Sequence, residues 1–403
     1  MTTDSLGQLA YDVVEHLSVR IGPRPAGSES EGRALDYIEA ELRQSCDGVL
    51  RIPVKGIPAE FPRNILLLVG MLSLVYVVHQ LLDAPQAMVI YLVAFYALPK
   101  LISAARKSAA TTSERESANI IGHQSAARET CGTIILCAHI DTARATRVPG
   151  KRWPKIHQLL MRLWLPFVVS MTAVAVLRWL DARVALAPII LWQAVRAFGL
   201  AFSGFLLVFE AFYMYISRSE AFSPGANDNA SGVGVVLALA RHFRNDPLAH
   251  LDVKHALFTA EELGLVGSER FAKETDLRRN STYIINLDMV GTGKELCYVR
   301  GSGLLPPRLT DRELNSLLRE AHPTIKSHYY FMGDSDFSSF VAQGFRTASL
   351  CAEGGAFGEP GYHTDRDTID NIHMTALQLA ADTVHRAARL LDQRLGLQVP
   401  SYQ

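Results

Sequence analysis

Residues 64–82 carry no formal charge, a run long enough to cross the hydrocarbon core of a bilayer. Asp83-Ala84-Pro85 then makes a turn, and a second uncharged run over 84–99 ends at Pro99-Lys100. A second apolar block extends from about Leu159 to Ile216. Its uncharged runs, 163–177, 184–195 and 197–209, are shorter and are broken by Arg178, Asp181, Arg183 and Arg196. Such blocks must lie in a protein core, cover a site as an apolar lid, or sit in lipid. Trp164, Trp179 and Trp192 near the ends of the runs resemble an interfacial belt. The pattern therefore predicts transmembrane helical hairpins at 64–104 and 157–217, four spans rather than three, with a buried lid as the alternative. Arg196 and Glu210, if within a span, must face protein or a cavity.

The basic residues orient this arrangement. Arg51, Lys55, Arg63, Lys100, Arg106, Lys107, Arg144, Arg147, Lys151, Arg152, Lys155 and Arg218 flank the blocks on the globular side, whereas the connecting turns hold only Arg178 and Arg183. By the positive-inside rule the globular part is cytoplasmic, so the chain is expected to be integral to a bacterial-type inner membrane. The N-terminus has no basic stretch followed by an apolar core, and no signal peptide is expected. Cys46, Cys131, Cys137, Cys297 and Cys351 are scattered without a CxxC pair, which fits reduced thiols. A formal net charge of +0 argues against nucleic acid as a partner and leaves the lipid bilayer as the expected one.

Without the blocks, residues 1–60, 105–155 and 218–403 read as one discontinuous domain. Short apolar runs alternate there with helical patterns: NIIG, TIILCAHID, GVGVVLALARHF, KHALFTAEE, YIINLDMVG, TASLCAE and a last helix through ALQLAADTVHRAARLLDQRL. This alternation predicts an α/β fold, a mostly parallel mixed central sheet with helices on both faces, interrupted by the two insertions. Ser28 or Ser30 is a fitting N-cap for the helix that follows IGPRPAG.

Candidate chemistry sits where the strands run out. TIILCA ends at His139, HALFTA at Glu261-Glu262, and YIINL at Asp288. Open α/β sheets gather ligands outside the carboxyl ends of their strands, so these residues should share one rim. Asp228 in SPGANDNASGVG precedes a helix starting near Ser231, and His363 lies in the polar turn GYHTDRDTID. Imidazoles and carboxylates are zinc donors, and five with one bridging satisfy two ions. Glu261, beside the ligand Glu262, is then the proton acceptor, and Asp141 can hold the other nitrogen of His139. Each element alone is weak: an EE pair is usually a solvated helix start, and Asp288 alone reads as an N-cap. Their joint occurrence at successive strand ends carries the reading.

The segments RIGPRPAGSESE, AHIDT, GANDNASGVG, FTAEELGLVGS, INLDMVG, GDSDFSSF and YHTDRDT together resemble the M-twenty-eight family of di-zinc exopeptidases. That family includes leucyl aminopeptidases, glutamate carboxypeptidases and glutaminyl cyclases. The resemblance implies a zinc aminopeptidase-like fold, with one Zn2+ on His139, Asp228 and Asp288 and a second on Asp228, Glu262 and His363. It makes Glu261 the proton shuttle and Asp141 the orienting acid. Manganese and cobalt suit the same donors. The departure is the long stretch between His139 and Asp228, filled by the second apolar block.

The expected activity is hydrolysis of the N-terminal peptide bond of a peptide or small aminoacyl substrate. Glutaminyl cyclisation, a carboxypeptidase or dipeptidase, and a silent membrane scaffold are the alternatives. His123, His242, His250, His255, His322, His328 and His373 show no ligand spacing and read as surface or core histidines. Asp336 in GDSDFSSF matches a pocket-lining segment, and Tyr362, Tyr329 and Tyr330 can lend a hydroxyl or simply pack.

Overall fold

The structure is a computed structural model that describes residues 5–58, 115–146, 189–216, 219–303, 307–330, 333–352 and 361–397, with isolated helical positions at 74 and within 159–180. The 64–104 hairpin, apart from position 74, lies outside the described residues, as do Trp164 and Trp179. The chain divides into two compact units, Met1–Ile57 with Glu114–Ala145 and Glu220–Gln403, and Pro58–Ser113 with Thr146–Ser219.

In the first unit, α1 (Leu6–Glu15) and α2 (Glu29–Ser45) precede β1 (Gly48–Lys55), β2 (Glu116–Gln124) and β3 (Gly132–His139). Helix α3 (Ile189–Ile216) belongs to the second unit. The first unit continues with α4 (Gly232–Asn245), β4 (Leu251–Phe258), α5 (Val266–Glu274), β5 (Thr282–Leu287), β6 (Leu296–Ser302) and β7 (Arg308–Leu309). It closes with α6 (Arg312–Ala321), β8 (Lys326–Tyr330), α7 (Phe337–Ala342), β9 (Arg346–Ala352) and α8 (Met374–Gly396).

The strands form one sheet in the order β1-β2-β4-β3-β5-β9-β6-β7, with β8 beside β6. β4, β3, β5 and β9 are parallel at the centre. The edges turn antiparallel, at β1–β2–β4 on one side and β9–β6–β7 on the other. A central strand buried on both faces must be apolar at every position, which is why TIILCA reads as a continuous run. Ile134, Leu136 and Ala138 join the core shared with α1, α2, α4, α6 and α8. Ile135 and Cys137 point the other way, against Ile284, Phe258, Phe340 and Phe345 on the side of α5 and α7. Helices thus cover both faces.

Ser28 is the N-cap of α2, its hydroxyl accepting from the Glu31 amide at 3.1 Å. Helix α4 crosses α1 closely, because a Cβ on Gly234 would lie 2.5 Å from the Ala10 carbonyl. The five cysteines are free thiols.

Helix α3 is the one element among the described residues long and apolar enough, over Ile190–Phe209, to cross a bilayer. Ile190, Leu191, Phe198, Phe205, Val208 and Tyr215 are exposed along it, and Trp192 lies in its first turn. The segments that lead into and out of this insertion are paired. Ala145 donates to the Ala221 carbonyl and Ser223 to that of Ala143, both at 2.9 Å, with Arg144 stacked 5.0 Å from the Phe222 ring.

Candidate active site

Three of the central strands, β3, β4 and β5, run out at one rim. His139 closes β3, and its Nδ1–H donates to the Asp141 carbonyl at 3.1 Å. That bond leaves Nε2 as the acceptor nitrogen, 3.2 Å from Asp228 Oδ1 and 3.7 Å from Asp288 Oδ1. The second histidine mirrors it: His363 Nε2 lies 3.2 Å from Asp228 Oδ2 and 3.1 Å from Glu262 Oε2. Asp228 therefore spans the two clusters, one oxygen to each. All five residues read as ligands in the sequence come together, with Glu261 alongside His139 and Glu262.

Asp141 differs from expectation in how it works. Its carboxylate is 3.7 Å from His139 Nδ1, whereas it accepts the amides of Glu261 and Glu262 at 3.0 and 3.2 Å. The imidazole is held by the Asp141 backbone, and the side chain fixes the turn that presents both glutamates. That turn leaves β4 through Ala260 at φ 55°, then closes on the Glu261 carbonyl.

The polar side chains of GANDNASG stitch the Asp228 loop to the end of β5. Asn229 Nδ2 donates to the Leu287 carbonyl at 2.9 Å, and its Oδ1 accepts from Met289 at 3.2 Å. Ser231 Oγ accepts from Val290, and Asn227 Oδ1 from Gly291. Asp228 is thus fixed against the segment that carries Asp288. Gly225 is required here: its φ is 63°, and a Cβ would lie 2.2 Å from Thr142 Cγ2.

Three further residues support the rim without a spacing signal in the sequence. Arg24 is fully buried and donates to the carbonyls of Leu17, Gly22, Ile140, Pro224 and Gly225 at 2.8–3.2 Å. It ties the backbone next to His139 to the approach to Asp228. Asp367 accepts the amides of Asn227 and Asp228 at 2.7 and 3.0 Å. Glu31, three residues after the N-cap, does not complete a capping box; its carboxylate takes Gly27 N, Ser117 Oγ and Thr259 Oγ1 instead. An arginine within a Pro/Gly-rich loop was the available hint for Arg24.

The electrostatics are those of crowded, dry carboxylates. Burial pushes Glu261 well above the usual range and takes Glu262, Asp336 and Asp367 up to about 7. Burial alone would lower both histidines, yet the surrounding carboxylates hold His139 well above its ordinary value and His363 at about 10. Burial would likewise raise Asp228, and His139 and His363 outweigh it and hold it low. Among the described residues, Glu262 Oε1 and Asp288 Oδ1 are buried without a hydrogen-bond donor. Imidazole nitrogens aimed at carboxylates, with unpaired carboxylate oxygens beside them, require a positive charge between them. A proton supplies one such charge; divalent cations fit the donor chemistry of the whole set. Tyr330 and Tyr362 line the space beside these residues.

Residues 214–388 match the family model described as Peptidase family M28. The matched stretch contains Asp228, Glu261, Glu262, Asp288 and His363 and excludes His139. The chain is 34% identical over 185 residues to Aminopeptidase YwaD of Bacillus subtilis, an alignment covering 42% of this chain and 38% of that protein. It spans about two fifths of the length of the curated relatives it matches. Among solved structures, a Zn-dependent exopeptidase from Parabacteroides distasonis superposes with a TM-score of 0.56 at 15% identity, covering 96% of this chain and 99% of that one. Glutaminyl cyclase of Bacteroides thetaiotaomicron gives the same TM-score and identity, over 95% and 97%. The fold is that of the zinc exopeptidases.

Proposed function

We propose that this chain is a metal-dependent exopeptidase of aminopeptidase type, which hydrolyses the N-terminal peptide bond of a peptide or aminoacyl substrate. The observation that carries the reading is Asp228, whose two oxygens face His139 and His363 at 3.2 Å each. His139, Asp228 and Asp288 would hold one divalent cation and Asp228, Glu262 and His363 another, zinc being the first choice for these donors. Two such ions, when bound, polarise the scissile carbonyl and make water acidic enough to attack near neutral pH.

The chain's own groups handle the proton and the geometry. Glu261 takes a proton from the attacking water as the new C–O bond forms, then passes it to the amine as the C–N bond breaks. The buried surroundings of Glu261 favour its protonated form, which suits a group that must donate in the second step. Asp141 keeps Glu261 and Glu262 in register through their amides. Tyr330 and Tyr362 border the reacting space.

The test is metal analysis of the purified full-length protein together with an aminoacyl-arylamide assay. At least two zinc ions per chain, and turnover lowered by about 10²–10⁴-fold in Glu261→Gln, are expected. A metal-free protein, or activity indifferent to that substitution, overturns the reading. Glutaminyl cyclisation is the second reading, favoured by the equal superposition on the glutaminyl cyclase. There the substrate's own amine attacks its γ-carboxamide and ammonia leaves, so pyroglutamyl product in place of free amino acid decides for it. Retention of the complete ligand set speaks against a silent scaffold, and a carboxypeptidase would require a cationic group in the pocket.

The apolar blocks at 64–104 and 157–217 are proposed as transmembrane hairpins with the peptidase unit in the cytoplasm. The exposed apolar surface of α3 supports this setting. Labelling of a cysteine placed at 83–85 only from the cytoplasmic side would favour the lid instead.

A further inference from the structure

We propose that His242, Asp246 and His385 form a second, separate site for a borderline divalent transition cation, zinc above all, which staples α4 to α8. His242 lies in the last turn of α4, Asp246 is that helix's C-cap, and His385 is midway along α8. The imidazole Nε2 atoms of His242 and His385 face each other at 3.2 Å, with ring planes at 78°. Asp246 Oδ2 is 3.8 Å from His242 Nε2. One donor atom from each of the three residues falls within a 4.8 Å cluster.

Two nitrogens bound to one tetrahedral zinc at about 2.0–2.1 Å stand roughly 3.3 Å apart. The imidazole separation matches that edge. It also matches the donor spacing of the rim, 3.1–3.7 Å. The site is distinct from the rim: His242 is ten residues beyond Gly232, roughly 15 Å along the helix at ~1.5 Å per residue.

Its surroundings suit a metal. The side chains of His242 and Asp246 are 31% and 61% exposed, so an ion can enter and water can fill the open position. Phe243 packs below His385 with ring centroids 5.7 Å apart, giving the pair an apolar floor. Arg389 is the competing cation, pairing with Asp246 Oδ2 and approaching His385 Nε2 at 3.4 Å. It also donates to the carbonyls of Pro247 and Asp246 at 2.9 and 2.6 Å, and these hold it in place when the carboxylate turns to a metal.

Equilibrium dialysis of the full-length protein against zinc tests the proposal by difference. Wild type should bind one more zinc per chain than His385→Gln and than Asp246→Asn, whatever number the rim retains. Zinc should raise the Tm of metal-stripped wild type further than that of either variant, and arylamidase activity at saturating zinc should be the same in all three. Equal zinc content and equal Tm shifts in wild type and variants overturn the site and leave an ordinary imidazole–imidazole hydrogen bond. Loss of the extra zinc from Asp246→Asn alone suffices in support should His385→Gln fail to fold. Because only the difference is read, failure here is separable from failure of the peptidase reading.

Discussion

Helix α4 joins two clusters built from the same donors at nearly the same spacing. At its N-terminal end, carboxylates that are 6–10% exposed meet the buried His139 and His363, itself 30% exposed. At its C-terminal end, Asp246 and two histidines meet where water can reach them. The inner cluster is fixed by neighbours from five segments: the Arg24 loop, the residues after β3, the Glu261 turn, the 287–291 segment and Asp367. Among the described residues the outer one leans on Arg389 and the Phe243 ring. Identical donors therefore have different consequences. Where the carboxylates are dry, crowding moves protons and demands positive charge; where the carboxylate is wet, the same spacing only permits a cation.

Substitutions can break this contrast in descending order of effect. Glu261→Gln should lower kcat by about 10²–10⁴-fold without changing zinc content, measured by arylamide turnover and metal analysis. A fall in zinc content would instead make Glu261 a ligand. Arg24→Met removes the donor shared by five carbonyls, three of them in buried contacts, and each buried one left unpaired costs roughly 1–3 kcal/mol. A loss of at least about 3 kcal/mol in thermal or denaturant unfolding is expected, with Arg389→Met, at the wet end, costing well under half as much.

Glu31 sharpens the contrast through pH. Its carboxyl rises from 4.5 to about 7 because of burial and then Asp141. The folded protein thus holds this proton more tightly than the unfolded chain. The stabilisation is complete below about pH 4.5 and is lost as the pH rises through 7. Over that window it amounts to about 3 kcal/mol. Glu31→Gln should flatten that part of the stability–pH profile, and an unchanged profile would show that Glu31 is not the group responsible. The smallest effect is expected of Asp246→Asn in the absence of zinc, within about 0.5 kcal/mol of wild type by thermal unfolding.

How much of this was legible follows from sequence distance. The strand ends were readable because a central parallel strand is apolar until it stops, so His139, Glu262 and Asp288 stand out against TIILCA, HALFTA and YIINL. Ser28 was readable because capping is local. The supports were not, since Arg24 meets Gly225, Glu31 meets Thr259 and Asp367 meets Asn227 only through the folded chain. His242 read as an ordinary histidine for the same reason, its partner being on another helix. The role of Asp141 was half visible: its position beside His139 is evident, but its grip on the Glu261 amide requires β4 to lie next to β3.

The backbone pairing of Ala143–Ala145 with Ala221–Ser223 has a consequence for the history of the chain. It brings both ends of the excursion together before the excursion begins. Seen from the sheet, whatever lies between is a closed loop, and each doubling of such a loop costs only about 0.6 kcal/mol of closure entropy. The clasp makes this a point where sequence can be gained, lost or exchanged while Arg24 still holds the backbone on either side in place. Homologues should therefore differ in length here and keep the clasp when they do.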